Sequence, residues 1–271
     1  MTSTFRIRRV NRLRAGAGRW REDDLLEGVL APARRPGATA GTGGRDWLHS
    51  RLYACRELHD TLLAERVPAV LESLPAGVDR WFFLRPSDPD PHLRLSFGGD
   101  APARWAPLLS NLRGWIAELV SADLATRLTV DVCEPLVGDP AVLAEAEDVL
   151  HADSDAVLAQ LRLAHAGAFA VRSDVLAELG MADVARAFRG MNGRVDRAPA
   201  GHADHAADGP GLALLTPWRE ARARALARYG DRVRRLAADG DDAEFVSTVL
   251  DSLLRLHGNR VNGNGGTRWS G

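Results

Sequence analysis

The sequence of 271 residues contains no lysine, so all 35 positions counted as Lys or Arg are arginine. This absence excludes a lysine Schiff base to a carbonyl substrate or to pyridoxal phosphate. It also excludes the phosphate-binding lysine of a P-loop and the nucleotide-binding lysine of a protein kinase. Codon bias in a GC-rich genome is one explanation of the arginine total. The other is selection for groups that hold carboxylates or peptide carbonyls, which only particular arginines can support.

Cysteine, long apolar runs and net charge are also scarce. The two cysteines, Cys55 and Cys133, are too few for a disulfide framework or a thiolate zinc site. No apolar run approaches the roughly 18 residues of a membrane span, and the basic N-terminus lacks the apolar core of a signal peptide. A formal charge of -1 argues against binding driven by bulk positive charge. We therefore expect a soluble cytoplasmic protein with no nucleic-acid or membrane partner.

The periodicity of the first half predicts a small sheet with two helices. Alternating or apolar segments indicate strands at 47–53, 80–85, 92–97 and 126–132, with a short edge strand at 5–10. Helical spacing indicates helices at 54–74, with a kink or junction at Pro68, and at 102–120. The order strand, helix, strand, strand, helix, strand is that of a ferredoxin-like βαββαβ antiparallel sheet unit.

The second half is predicted to be helical, giving an α+β fold. Helical segments are expected at 142–150, 154–164, 173–190, 217–238 and 241–257, with a break at Asp153 and a loop at 191–211. We divide the chain into an N-terminal strand, extension and Gly/Pro-rich linker (1–46), a catalytic domain (47–263) and a flexible tail (264–271). The catalytic domain comprises a sheet unit (47–134) followed by a helical half (135–263).

Four sequence phrases occur along the chain in the same order as in a known family and resemble its motifs. WFFLRPSDPDPHLRLSF (81–97) is similar to the W-F-F-x-R-Y-x-D-P-x-P-H-L-R-L-R-F phrase of the C-terminal elimination domain of lantibiotic dehydratases. WLHSRLY (47–53) resembles the opening strand of that domain, AEDVLHADSDAVL (146–158) its A-E-x-L-F-x-x-D-S-x-x-V-L helix, and SLLRLHGNRVNG (252–263) its closing S-L-I-H-M-H-x-N-R-L-x-G helix. The resemblance implies an elimination-domain-like fold.

Several positions depart from the pattern of the eliminating enzymes. Arg255 stands at the first histidine of the closing phrase, which acts in proton transfer in that family, and His257 follows two residues later. Cys133 replaces the tyrosine of the family's T-Y-E-R-E segment, Pro86 replaces the tyrosine after Arg85, and Ser96 replaces the second arginine of H-L-R-L-R. The scaffold is kept while part of the elimination apparatus is lost.

These departures favour the thiopeptide pyridine synthases, which resemble elimination domains in scaffold. Such an enzyme joins two dehydroalanines by a formal [4+2] cycloaddition, then expels water and the leader peptide to leave a pyridine-centred macrocycle. The implied partner is a precursor peptide with a leader and a dehydroalanine- and thiazole-containing core, together with other thiopeptide biosynthetic enzymes. We predict no cofactor and no metal, and interpret the metal-like spacing of His202, His205 and Asp208 as a solvated loop.

On the predicted hairpin, Arg85 and Arg94 could orient a peptide carbonyl if the strands place them on one face. The alternative is two surface arginines paired with Asp88 and Asp90. His92 is a candidate proton donor or a histidine bonded to the turn. Asp88 is a further candidate for substrate binding.

Other candidates lie on the later segments. Asp153 and Ser154 either cap a helix or, for the Ser154 hydroxyl, donate to a substrate carbonyl. Glu134 is a possible base or a partner of an arginine. On the closing helix, His257 is the candidate proton shuttle, and the same helix carries Arg255, Asn259 and Arg260 as substrate-binding candidates. Asn259 and Arg260 could instead fasten that helix to the sheet, and Tyr53 is a candidate phenol or a structural tyrosine.

Two other functions stay open from the sequence. One is a glutamate-elimination lyase that forms dehydroalanine from glutamylated serine. The other is a non-catalytic subunit that presents the leader peptide to a partner enzyme. The first would release glutamate from a glutamylated peptide, and the second would tolerate single substitutions of Arg85, Ser154 and His257.

Overall fold

A computed structural model describes residues 5–9, 22–35, 45–99, 105–133, 137–168, 173–190, 213–238 and 242–263. Its strands are β1 (Phe5–Arg9), β2 (Asp46–Tyr53), β3 (Val78–Leu84), β4 (His92–Gly99) and β5 (Arg127–Cys133). Its helices are α1 (Glu22–Leu30), α2 (the helical run 56–72), α3 (Trp105–Ser121), α4 (Pro140–His165), α5 (Ser173–Arg189), α6 (Thr216–Ala238) and α7 (Ala243–Asn262).

The five strands form one sheet in the order β1-β5-β2-β4-β3. The pairs β5–β2, β2–β4 and β4–β3 are antiparallel, and β1 joins β5 in parallel at the edge. The four antiparallel strands, with α2 and α3 as their connections, confirm the predicted ferredoxin-like unit and the α+β fold. The edge position predicted for the N-terminal strand is also confirmed.

The two faces of the sheet pack against different helices. On one face, Leu93, Leu95 and Phe97 of β4 alternate inward and join a core with the apolar sides of α2 and α3. On the other face, Trp47, Phe82 and Leu84 join a second core with helices of the second half and with α1. The molecule therefore has three layers: two helices, the sheet, and a helical half.

Helix α2 contains the junction predicted near Pro68. It begins with a tight 3-10 turn at Arg56–Leu58 and widens into a π-helical turn at Leu62–Arg66 before the α-helical segment Val67–Glu72. Proline has no N–H and its ring clashes with the carbonyl four residues earlier, so the wider turn accommodates it. The predicted junction is confirmed as a change of helical pitch.

Helix α4 is continuous, so the predicted break at Asp153 is wrong. The helix begins at the N-cap Asp139, whose carboxylate accepts from Ala141 N and Val142 N, and it continues to His165. Asp153 lies in the middle of the helix and accepts from side chains of α6 and α7 instead of backbone N–H groups. Residues that favour N-caps in isolation are here used for tertiary contacts.

Helix α1 was not predicted, although the spacing of Leu25, Leu26, Val29 and Leu30 is typical of a short amphipathic helix. It packs antiparallel to α7, because Gly28 lies against Ser252 while Arg35 reaches Asp242 near the start of α7. The beginning of α1 is therefore level with the second half of α7. This arrangement brings Asp23, near the start of α1, over the sheet.

Side chains of α4 and α7 hydrogen-bond to the backbone along the outer edge of β3. Phe83 N donates to Ser154 Oγ at 3.3 Å, and Arg260 Nε donates to Phe83 O at 3.0 Å. Arg85 N donates to Asn259 Oδ1 at 2.8 Å, just beyond the strand. The interpretation of Asn259 and Arg260 as residues that fasten the closing helix to the sheet agrees with these bonds.

Among the described residues, neither a membrane-spanning helix nor a metal-binding cluster is present. No helix among them is long and apolar enough to cross a bilayer. Within the same ranges, no cluster of three or more His, Cys, Asp or Glu side chains is arranged to hold a metal ion. Glu134, His202, His205 and Asp208 lie outside the described residues.

Candidate active site

A cavity of about 410 Å³ opens on the face of the sheet that carries α1; we call it the sheet-face cavity. Strands β2 and β4 form its floor, the turn between β3 and β4 forms one wall, and the start of α1 forms another. The lining residues are Asp23, Arg51, Tyr53, Pro86, Asp88, Pro89, His92 and Arg94. The structure thus brings together four of the predicted site residues: Tyr53, Asp88, His92 and Arg94.

Two arginines face each other on the floor of this cavity. Arg51 of β2 is paired with Arg94 of β4 in the antiparallel register, which places the two Cβ atoms about 4.5–5.5 Å apart. Like charges directly opposite one another are unfavourable, and two carboxylates offset them. Arg51 Nη1 donates to Asp131, and Arg94 Nη1 donates to Asp23.

Arg94 keeps hydrogen-bonding capacity beyond this ion pair. Arg94 is 8% exposed, and its buried Nε has no hydrogen-bond partner among the described residues. Arg94 lines the cavity, and a guanidinium group is a donor that suits carbonyl and carboxylate oxygens. The floor of the cavity therefore suits a carbonyl or a carboxylate.

An aromatic pair lies beside the arginines. The rings of Tyr53 and His92 lie 5.1 Å apart between centroids, and the Arg127 guanidinium covers the Tyr53 ring at 3.7 Å. His92 Nδ1 donates to the carbonyl of Asp90 at 2.8 Å. This bond is the turn contact considered from the sequence, and it orients the His92 ring at the wall of the cavity.

His49 continues the same row of side chains into the interior. It precedes Arg51 by two residues on β2, and it is paired with Ser96 of β4 and Asp131 of β5. Its Nδ1 hydrogen-bonds to Ser96 Oγ at 2.8 Å. Burial, and then the positive charges of Arg94 and Arg51, lower the pKa of His49 well below the usual value, so the ring is neutral at neutral pH.

A second group of charges lies away from the cavity, between α4, α6 and α7. Asp153 accepts from Arg260 Nη1 at 2.7 Å, from His257 Nδ1 at 2.8 Å and from Arg222 Nη1 at 3.2 Å. We call these four residues the Asp153 cluster; all of them are buried. Burial alone would raise the pKa of Asp153, but the three neighbouring donors outweigh it and hold that pKa well below its usual range.

His257 is placed differently from the proton shuttle predicted from the sequence. Its residue is 0% exposed, and its second ring nitrogen faces Gly180 so closely that a Cβ there would lie 2.0 Å from it. A glycine at this position of α5 lets the imidazole fit between helices. A shuttle must reach substrate or solvent, and this enclosed position does not fit that role.

Ser154 also has an internal position. It is fully buried, its hydroxyl donates to Leu150 O at 2.8 Å, and it accepts from Phe83 N at 3.3 Å. Because its single proton is already donated within the helix, the predicted donation to a substrate carbonyl does not fit this geometry. The residue joins α4 to the edge of the sheet.

Arg85 and Arg94 lie on opposite faces of the sheet, so the condition under which they could act on one carbonyl together is not met. Leu84 is the residue paired with Arg94, so the next residue along the chain points the other way. Arg85 Nη1 reaches Asp60 of α2 at 2.5 Å, and burial lowers the Arg85 pKa despite that carboxylate. Arg85 is separated from the sheet-face cavity by the sheet itself.

Arg255 lies on the exposed side of α7. Because α1 and α7 are antiparallel with Gly28 against Ser252, Arg255 is level with the start of α1, the end that carries Asp23. The residue at the position of the first histidine of the closing phrase is thus on the exposed side of the closing helix. His257 is on the enclosed side.

Four residues of this site were not predicted from the sequence: Asp23, His49, Arg51 and Asp131. For β2 the signal was present, since WLHSRLY alternates and puts His49, Arg51 and Tyr53 on one face. Only Tyr53 was singled out from it. The approach of Asp23 depends on the packing of α1, whose apolar residues Leu25, Leu26, Val29 and Leu30 recur at helical spacing but were not interpreted as a helix.

The chain was compared with known families and structures. The family model described as "Lantibiotic biosynthesis dehydratase C-term" matches residues 47–268. The tRNA-dependent lantibiotic dehydratase MibB from Microbispora sp. 107891 is similar over 85% of this chain, with 23% identity and a TM-score of 0.66. This chain spans 27% of the length of MibB.

A second solved structure, TsrL, is similar over 83% of this chain and 90% of its own length, with 17% identity and a TM-score of 0.38. No curated protein sequence matches the chain. The likeness to MibB supports the fold, and the family model covers most of the sequence. The chain belongs to the lantibiotic dehydratase C-terminal family.

Proposed function

We propose that the protein is a thiopeptide pyridine synthase that acts on a leader-bearing modified peptide in the sheet-face cavity. The observation that carries the proposal is the closing helix α7. Its exposed side carries Arg255 where eliminating relatives carry a histidine, and its one histidine, His257, is bonded to Asp153 in the interior. The helix therefore lacks an accessible proton-transfer histidine, which favours cyclisation over elimination.

The proposed reaction forms two carbon–carbon bonds. One dehydroalanine, with the preceding amide as its imidic-acid tautomer, is the four-atom component, and the second dehydroalanine is the two-atom component. Its methylene carbon joins the other methylene carbon, and its α-carbon joins the imidic carbon. Loss of the imidic hydroxyl with a ring proton releases water, and loss of the leader amide nitrogen with a second ring proton leaves an aromatic pyridine.

Orientation is the main demand of such a reaction. Holding two alkenes in a reactive arrangement contributes up to about 7–11 kcal/mol in well-aligned systems. Arg94 and Arg51 lie directly opposite each other and both line the cavity. Two guanidinium groups at this spacing suit neighbouring amide carbonyls, and a donor at the amide oxygen favours the imidic tautomer.

The walls of the cavity suit a heteroaromatic peptide. Tyr53 and His92 present a tilted aromatic pair beside the arginines. Thiazole rings stack well on such surfaces, so the pair would hold the core peptide beside the reacting carbons. Asp88 and Asp23 offer acceptors for backbone N–H groups at opposite walls.

A direct test uses a synthetic bis-dehydroalanine thiazolyl peptide with its leader attached. Purified protein should convert it to a pyridine macrocycle and release the leader as a carboxamide, both identified by mass spectrometry. An unchanged peptide would refute the proposal.

Glutamate elimination is a second candidate, and the arginine pair favours it. Arg51 and Arg94 could hold the carboxylate of a glutamyl ester as readily as two carbonyls. Giving the protein a glutamylated peptide separates the two functions. Release of glutamate with formation of dehydroalanine would identify a lyase, whereas a synthase would leave the ester intact.

A further inference from the structure

Beside the floor of the sheet-face cavity lies a half-buried histidine, His49, to which neither the family resemblance nor the sequence assigns a role. His49 lies between two environments. On one side its ring meets Phe82 in an edge arrangement at 6.3 Å and lies nearly parallel to Trp47 at 6.3 Å. On the other side it neighbours Arg51 and Arg94 on the floor of the cavity.

The ring is fixed in position by its neighbours on the sheet. Ser96, directly opposite on β4, is fully buried and hydrogen-bonds to His49 Nδ1 at 2.8 Å. Ser96 stands where the family phrase has an arginine, so a short hydroxyl here replaces a long cation. A bond at Nδ1 sets which ring nitrogen carries the proton and leaves Nε2 for exchange with another group.

We infer that His49 is the proton-transfer group of the cavity, and that Ser96 orients its ring. The inference rests on the proposed function. In the aromatisation step, His49 takes the proton from the ring carbon next to the leaving group. The carbon–nitrogen bond to the leader then breaks, a carbon–carbon double bond forms, and the proton passes to the departing amide nitrogen.

The electrostatic setting suits a base in this role. Ionisable side chains near His49 lie on four elements: Arg51 on β2, Arg94 on β4, Asp131 and Cys133 on β5, and Asp23, bonded to Arg94, on α1. Burial and the two arginines keep the imidazole neutral, while Asp131 and Asp23 accept from those arginines. A neutral imidazole is ready to accept a proton at neutral pH.

The test compares His49→Gln with the wild-type protein on the leader-bearing bis-dehydroalanine peptide. Loss of a general base lowers kcat on the order of 10²–10⁴-fold, with KM retained. The pH profile of the wild type should have an acidic limb below 6.5, since neutral His49 is the active form. The variant should lack that limb, and added imidazole should partly restore turnover of His49→Ala.

His165→Gln is the matched control, because His165 is exposed and bonds to Glu65 far from the cavity. It should keep the wild-type kcat and pH profile. Ser96→Ala should lower kcat less than His49→Gln and keep the acidic limb. Thermal melting of each variant separates loss of folding from loss of turnover.

The two proposals fail in different ways. If the wild type makes the macrocycle and His49→Gln matches it in kcat, the proton-transfer role is overturned while the synthase stands. A raised KM without imidazole rescue would assign His49 to binding and overturn the inference as well. If the wild type leaves the peptide unchanged, the synthase and the role of His49 fall together.

Discussion

The sheet-face cavity and the Asp153 cluster are built from the same residue types but differ in enclosure. In the cluster, one carboxylate receives donors from Arg222, His257 and Arg260, and all four side chains are buried. In the cavity, Arg51 and Arg94 share two carboxylates, and solvent reaches the space above them. The closed group holds helices together, while the open one has donors to offer a ligand.

This difference in enclosure shows that residue type alone does not identify a functional residue in this chain. Asp153 and His257 lie in phrases that resemble the family's motifs, yet they are bonded to each other in the interior. His49 lies in the opening strand, two residues before Arg51 on the cavity floor, and was not singled out from the sequence. Enclosure, which depends on tertiary packing, separates the two cases.

The largest effect is expected from breaking the Asp153 cluster. Asp153→Ala leaves two buried guanidinium groups and an imidazole without their shared acceptor. Removing one member of a buried ion pair costs about 3–5 kcal/mol. The free energy of unfolding, measured by denaturant titration, should fall by this amount, whereas the exposed Asp251→Ala on α7 should change it by less than about 0.5 kcal/mol.

The same comparison has a pH dependence with a defined sign. The pKa of Asp153 is depressed in the folded protein, so its contribution is complete above the unfolded value of about 3.9. It is lost as pH falls below that value. The stability difference between wild type and Asp153→Ala should therefore shrink in acid, and a constant difference would contradict the ionised cluster.

A smaller effect is expected in the sheet-face cavity. It changes the activation free energy of turnover and not the free energy of unfolding. Arg94→Gln removes a guanidinium group that lines the cavity, and loss of one donor to the reacting groups lowers kcat about 10²–10³-fold. Steady-state kinetics on the leader-bearing peptide measure it. Arg113→Gln, an exposed arginine on α3, is the control and should keep wild-type turnover.

This variant also bears on the non-catalytic alternative. A subunit that only presents the leader would bind the precursor peptide equally well with Arg94→Gln and would have no turnover to lose. Unchanged turnover in an active protein would remove the sheet-face cavity from the proposed mechanism.

The smallest effect is expected from Ser154→Ala. The variant loses the bond to Leu150 O and leaves Phe83 N buried without an acceptor, at a cost of about 1–3 kcal/mol in unfolding free energy. Ser121→Ala is a matched control, since Ser121 makes the same bond four residues back, to Ala117 O, on an exposed surface. Turnover of folded Ser154→Ala should equal that of the wild type. A lower kcat would show that Ser154 acts in the active site.

The sheet was predictable because its signals are local. Alternation of large and polar residues defined β2, β4 and β5, and the Asp/Pro turn joined β3 to β4. The faces of Arg85 and Arg94 were not predictable in the same way. Their relation depends on the register of the hairpin, and a shift of one residue moves a side chain to the other face.

The remaining errors arose where tertiary contacts override local preference. Asp153 and Ser154 are typical N-cap residues, but α4 runs through them because partners on α6, α7 and β3 use their oxygens. The approach of Asp23 to the arginine pair likewise depends on how α1 packs against α7. Such contacts bring together residues more than 70 positions apart in sequence, as for Asp23 and Arg94.

The bonds along β3 have a consequence for how the sheet unit can be used. Ser154, Asn259 and Arg260 occupy backbone groups that would otherwise be open to another strand. An exposed edge of this kind is a template for aggregation between molecules. The helical half therefore acts as a built-in shield for that edge. A sheet unit excised without α4 and α7 should assemble through β3, so these helices must accompany it in any chimaera.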